Sequence, residues 1–164
     1  MAKIIGIDPG LADTGVGVIT GSGIDVNAYA FGCIHTSKDH PLPARLNRIY
    51  THLNELLNRE KPDLIVVEDI FSLPRNPKSG ISLGKVTGVI LLAGNHAKVS
   101  VIEIPVREAK KILSGNGNAG KEQLEQSVRY LLNHPRPIRP FHASDALALA
   151  LIGLYRVGRP SFNA

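Results

Sequence analysis

Leu64 to Val67 (LIVV) is an unbroken apolar run bounded by Pro62-Asp63 and Glu68, and a strand that is apolar at every position has to be buried on both faces. A chain containing it must lay further structure on both sides of a sheet. A helix pattern precedes the run: within Leu42 to Asn58, the residues Leu46, Ile49, Tyr50, Leu53, Leu56 and Leu57 fall at three- and four-residue spacings along one face. After it come helical stretches at Ser82 to His96, Val106 to Leu113, Lys121 to Leu132 and His142 to Tyr155, with a strand at Val99 to Ile104. Before it, Lys3 to Asp8 (KIIGID), Thr14 to Thr20 (TGVGVIT) and Ile24 to His35 read as an antiparallel meander turning at Pro9-Gly10 and at Gly21-Ser22-Gly23. Strands first, then alternating helices and strands, predict a mixed five-stranded α/β sheet with helices on its faces.

A chain of 164 residues is expected to form one domain, 1–164, with a core that needs no disulfide or structural metal. Cys33 is the one cysteine. Nineteen Lys and Arg against fourteen Asp and Glu leave a net charge of +5, which favours a polyanionic partner. The opening MAKIIGIDPG has only Lys3 ahead of a very short apolar run, unlike a signal peptide. No apolar run approaches the ~18 residues that span a bilayer, so the expectation is a cytoplasmic protein with no membrane partner.

The acids fall where chemistry is commonly sited. Asp8 closes the first strand and Glu68 closes the LIVV strand. If those strands are neighbours, the two carboxylates project from one sheet edge, where open α/β sheets hold their ligands. His142 and Asp145 lie three apart on the last helix and share a face. Oxygen donors with a single imidazole suit Mg²⁺ or Mn²⁺ better than zinc, and a paired-metal site serves in-line phosphodiester displacement. Each residue also has a plainer reading. Asp8 before Pro-Gly is a turn former, Glu68 beside Asp69 could end a strand at the surface, and His142 and Asp145 could serve the start of a helix. A carboxylate directly after four buried apolar residues is costly to hide without a cation, however, and the four residues together favour the metal reading.

The segments IGIDPGLADTGVGVI, LIVVEDIF and FHASDALALA resemble the three acidic motifs of the RuvC-type Holliday junction resolvases, and the resemblance runs over nearly the whole chain. It implies a ribonuclease H-like fold and metal-binding catalytic roles for Asp8, Glu68 and Asp145, with His142 as the fourth member where many relatives carry Asp. His142 would be either a direct ligand or the group that orients and deprotonates the water. The resemblance further implies Mg²⁺, with Mn²⁺ as substitute and a pair of ions per active site. It also implies a homodimer that nicks two opposed strands of a four-way DNA junction, working with the RuvA and RuvB branch-migration proteins. Sugar kinases and actin-like ATPases share the first motif, but they need two such domains and this length supplies one. A non-catalytic DNA-architectural protein would explain the charge and leave the four metal-suited side chains without a purpose.

Gly115 to Lys121 (GNGNAGK) meets the first seven positions of a phosphate-binding P-loop, but Glu122 stands where Ser or Thr must hold Mg²⁺, and a helix rather than a strand precedes it. The loop and the helix start after it suit a DNA phosphate instead, with Lys121 adding charge. Lys110 matches another basic position of the resolvases. Between Asp69 and Glu103 the chain carries Arg75, Lys78, Lys85 and Lys98 and no acid; Arg75 and Lys78 are candidate DNA contacts, and Lys98 fits a solvated helix face. Phe71 could anchor its loop or stack on an unpaired base, and the resemblance favours stacking. Gly84, Gly88 and Gly94 weaken the helix Ser82 to His96 while allowing close approach, either to the sheet or across a dimer interface.

Overall fold

The computed structural model describes residues 1–70 and 77–158. Among them run five strands, β1 (Ala2–Asp8), β2 (Asp13–Ser22), β3 (Asp25–His35), β4 (Leu64–Glu68) and β5 (Ser100–Ile104). Five helices accompany them: α1 (Leu42–Glu60), α2 (Pro77–His96), α3 (Val106–Ser114), α4 (Lys121–Leu131) and α5 (Phe141–Val157). The strands form one sheet in the order β3-β2-β1-β4-β5. The β1–β2 and β2–β3 pairs are antiparallel, whereas β1–β4 and β4–β5 are parallel.

The apolar run at 64–67 lies at the heart of this sheet, with Ile65, Val66 and Val67 fully buried. Alternation along each strand divides the core in two. Ile4, Ile19, Val66 and Ile104 pack with α3, α4 and α5. Ile5, Ile7, Val16, Val18, Ile65 and Val67 pack with α1 and α2. The period of two then sends Asp8 to the face of Ile4, and Glu68 to the face of Val66. Both strand-end carboxylates therefore belong to the side covered by α5.

α5 is apolar on every side and is buried without interruption from Ala146 to Leu154. Each of its large side chains contributes about 2 kcal/mol of burial. It lies on glycines. A Cβ at Gly6 would stand 1.9 Å from the Ala146 carbonyl oxygen, one at Gly15 2.0 Å from that of His142, and one at Gly17 2.7 Å from the Leu147 nitrogen. Only bare backbone on β1 and β2 lets the helix settle this close.

Two boundaries differ most from expectation. The β2–β3 hairpin turns at Gly23-Ile24 rather than over Gly21-Ser22-Gly23: Ser22 pairs with Asp25, and Gly23 takes φ 63°, which suits a first loop position that only glycine fills without strain. α2 starts at Pro77 rather than Ser82, because proline is tolerated in a helix's first turn, where its missing N–H costs nothing. Among the described residues no helix is long and apolar enough to cross a membrane.

Candidate active site

β1 and β4 are adjacent and in register, Ile7 opposite Val67, so Asp8 and Glu68 emerge side by side at the carboxyl ends of the two central strands. α5 brings His142 and Asp145, one turn apart, over the same edge. His142 Nδ1 lies 2.6 Å from Asp8 Oδ2, and Asp8 is only 5% exposed. The four residues share an open cleft of about 350 Å³ with Lys110 from α3 and Lys121 at the start of α4. Pro9 and Gly10 form part of its wall, as do Leu83 and Val106.

Crowding shows in the protonation of the acids. Burial, the hydrogen bond that protonated Glu68 donates to Asp8, and repulsion from Asp8 and Asp145 push the Glu68 carboxyl up to about 9, against the pull of Lys110. Asp145 is pushed up to about 6 by burial and by the charge of Asp8, with Lys121, His142 and Lys110 opposing. His142 is raised above the ordinary imidazole value, first by its hydrogen bond to Asp8 and despite its burial. In the chain by itself the Asp8 carboxylate favours the imidazolium.

Carboxyls that hold protons this far above their usual range form a site short of positive charge. Three carboxylates and one imidazole fit a hard divalent cation. Among the described residues no three His, Cys, Asp or Glu side chains converge as a preformed metal cage. The four share a cleft rather than a point, with Asp8 engaged by His142.

Six of the residues singled out from sequence therefore meet: Asp8, Glu68, His142, Asp145, Lys110 and Lys121. Lys78 is exposed on the first turn of α2, outside the cleft lining. Phe71 and Arg75 lie outside the described residues. Lys85 and Lys98 are exposed. The loop from Gly115 to Gly120 joins two helices, α3 ending at Gly115 with φ 74°, so it lacks the preceding strand of a nucleotide-binding loop. Sequence reasoning passed over Pro9, Gly10, Leu83 and Val106. Only the Pro9-Gly10 turn next to Asp8 carried a signal that could have found them.

The family model described as crossover junction endodeoxyribonuclease RuvC matches residues 4–153. The chain belongs to the RuvC family. Its relatives include the RuvC of Geotalea uraniireducens, 42% identical over 149 residues, 91% of this chain and 86% of that one. The RuvC of Carboxydothermus hydrogenoformans is 40% identical over 156 residues, 95% of this chain and 98% of its own. Among solved structures the chain is similar to Thermus thermophilus RuvC in complex with a Holliday junction substrate, with a TM-score of 0.89 and 31% identity over 96% of each chain. A yeast mitochondrial Holliday junction resolvase, Ydc2, shares the fold at a TM-score of 0.63 and 10% identity, over 94% of this chain and 78% of that one. The mixed five-stranded sheet flanked by helices is the ribonuclease H-like fold of RuvC.

Proposed function

We propose that the chain, acting as one nuclease domain over 1–164, resolves four-way DNA junctions in recombination and repair by paired symmetric nicks, through divalent-metal-dependent phosphodiester hydrolysis. The observation that carries this reading is the meeting of Asp8, Glu68, His142 and Asp145 with Lys110 and Lys121 in one cleft, in a chain similar over 96% of its length to a RuvC bound to its junction substrate.

Asp8, Glu68, His142 and Asp145 would hold Mg²⁺, or Mn²⁺ in its place, as a pair of ions per active site. Bound there, such ions supply positive charge that stabilises the charge developing on the phosphodiester and eases ionisation of the attacking water. Lys110 and Lys121 hold the DNA backbone as point charges. Phe71 stacks on an unpaired base, and Arg75 and Lys78 add phosphate contacts. A neutral His142 keeps its proton on Nδ1, donated to Asp8, and leaves Nε2 as its one acceptor, which either ligates an ion or takes a proton from the water. The products are a 5′ phosphate and a 3′ hydroxyl.

Two cuts on opposed strands call for two active sites, hence a homodimer. α2 is the candidate interface: Ile81 is 62% and Leu92 49% exposed on it, and a Cβ at Gly88 would meet nothing, so sheet packing does not account for that glycine. RuvA and RuvB are the proposed partners, in the cytoplasm. Incubation with a synthetic four-way junction and with linear duplex, each with and without Mg²⁺, tests the reading. Opposed nicks in the junction alone, and only with Mg²⁺, are expected. Equal cutting of linear duplex, or an intact junction with both Mg²⁺ and Mn²⁺, overturns it.

A further inference from the structure

Between Asp8 and the start of β2 at Asp13 the chain reverses direction within Pro9 to Ala12, and Pro9 and Gly10 wall the cleft. Three successive carbonyls of this loop are tied down. The Thr14 hydroxyl donates to the Gly10 carbonyl at 2.8 Å. The Thr36 hydroxyl donates to the Leu11 carbonyl in a short hydrogen bond, and the Thr36 backbone N–H donates to the Ala12 carbonyl at 2.9 Å. Both threonines are buried, Thr36 to 2% exposure.

Thr36 immediately follows β3 and has a second partner: Arg45 of α1 donates Nε–H to Thr36 Oγ1 at 2.8 Å. The direction of this relay is forced. A guanidinium nitrogen can only donate and a carbonyl oxygen can only accept, so the hydroxyl must take the Arg45 proton bond and aim its own proton at Leu11. Each bond polarises the next. A valine would fill the same space, so it is the loop that gives the hydroxyl its purpose. The turn is tightly closed, since a Cβ at Gly10 would stand 2.2 Å from the Asp13 carbonyl oxygen.

We propose that Thr36, oriented by Arg45, is a positioning residue for strand cleavage: it anchors Leu11 and Ala12, and through them steadies the adjoining Pro9-Gly10 wall beside Asp8. This rests on the nuclease reading given above. Thr36 does not line the cleft that holds the acids, and the lysines proposed to bind DNA stand on α3 and α4, so placement of the scissile phosphate should suffer while affinity does not.

Thr36→Val, Thr36→Ser and Arg45→Ala are compared with the parent on a synthetic four-way junction, in single-turnover cleavage at saturating Mg²⁺ and in junction binding without the ion. A misplacement near 1 Å costs up to roughly 100-fold, so Thr36→Val should cut at least about tenfold more slowly, with its junction Kd within about twofold because phosphate contacts carry binding. Thr36→Ser should recover most of the rate, and Arg45→Ala should fall between the two. Leu57→Ala, in the core near the far end of α1, supplies a destabilised control that should cut at the parent rate. The inference is overturned if Thr36→Val cuts like the parent, if Thr36→Ser is as slow as Thr36→Val, or if Leu57→Ala slows cleavage equally. Should Thr36→Val fail to fold, Arg45→Ala decides: a parent rate there sinks the relay. A parent that cuts no junction brings down the nuclease reading itself, a result separate from all of these.

Discussion

His142 Nδ1 and Asp8 Oδ2, 134 residues apart in the chain, stand 2.6 Å from one another. The contact joins the tip of the central strand to the first turn of α5, and it fixes which ring nitrogen can act as a base.

The first prediction follows from that pair. In metal-free protein the His142 ring should titrate above the ordinary imidazole value, because Asp8 favours the charged ring. Asp8→Asn should bring it down, and saturating Mg²⁺ should do the same to the parent; NMR titration of the ring proton reads both. Cleavage should fall as pH drops and the ring takes a proton. His142→Asp should keep measurable activity without that acid limb, and His142→Ala should lose activity. A parent rate for His142→Ala across the pH range would reduce the site to three carboxylates.

The carboxylates set stability against activity. Glu68 at about 9 and Asp145 at about 6 are both raised, so between their unfolded values and these the folded chain binds more protons than the unfolded one. The stability these two groups contribute is therefore fullest below their unfolded pKa values and declines as pH rises towards 9. In EDTA, Tm should drop from about pH 5 to pH 9. Glu68→Gln should flatten the drop, and Mg²⁺ should offset it in the parent. Glu68→Gln, Asp8→Asn and Asp145→Asn should each lose roughly 100-fold or more in cleavage while still binding junction. A flat Tm profile for the metal-free parent would contradict the crowding.

Lys110→Ala and Lys121→Ala should each weaken junction binding and reduce the salt slope of the affinity by about 1, as expected for one phosphate contact. Binding isotherms at several salt concentrations measure this. An unchanged slope in both variants would return them to ordinary solvated lysines.

Glu125 is 1% exposed on α4, accepts the Ile138 N–H at 2.8 Å and pairs with Arg129 at 3.2 Å. Removing the carboxylate leaves the buried Ile138 N–H without its acceptor, which costs about 1–3 kcal/mol, while Arg129 stays partly solvated. Glu125→Ala should therefore lower stability by about that amount in urea unfolding. A loss below about 1 kcal/mol would mean that the segment before α5 needs no such anchor.

Much of this was legible because period-two alternation is strict. Once KIIGI and LIVV are neighbouring strands, their terminal acids leave from one sheet edge, and the i, i+3 spacing of His142 and Asp145 supplies the facing pair; that both acids turn to the α5 face came with the register of Ile7 opposite Val67. Thr36 and Arg45 were not legible. A threonine at a strand end and an arginine near a helix start are each unremarkable, and only the folded meander brings Thr36 onto the loop after Asp8. Glu125 was hidden for a similar reason: its partner Ile138 comes from a stretch without periodicity, so the pattern of α4 gives no warning of a buried charge.

The glycines under α5 bear on how the site tolerates change elsewhere. Its acids come from three distant segments, and an assembly of that kind would ordinarily inherit the looseness of every side chain packed between them. Here Gly6, Gly15 and Gly17 put main chain directly against main chain, so the gap between the strand carboxylates and the helix residues is as stiff as the peptide groups themselves. Leucines and isoleucines of the surrounding core can be exchanged for others of similar bulk without the spacing of Asp8, Glu68, His142 and Asp145 drifting, whereas a single methyl group at Gly6 would act as a shim and pry the two halves of the site apart.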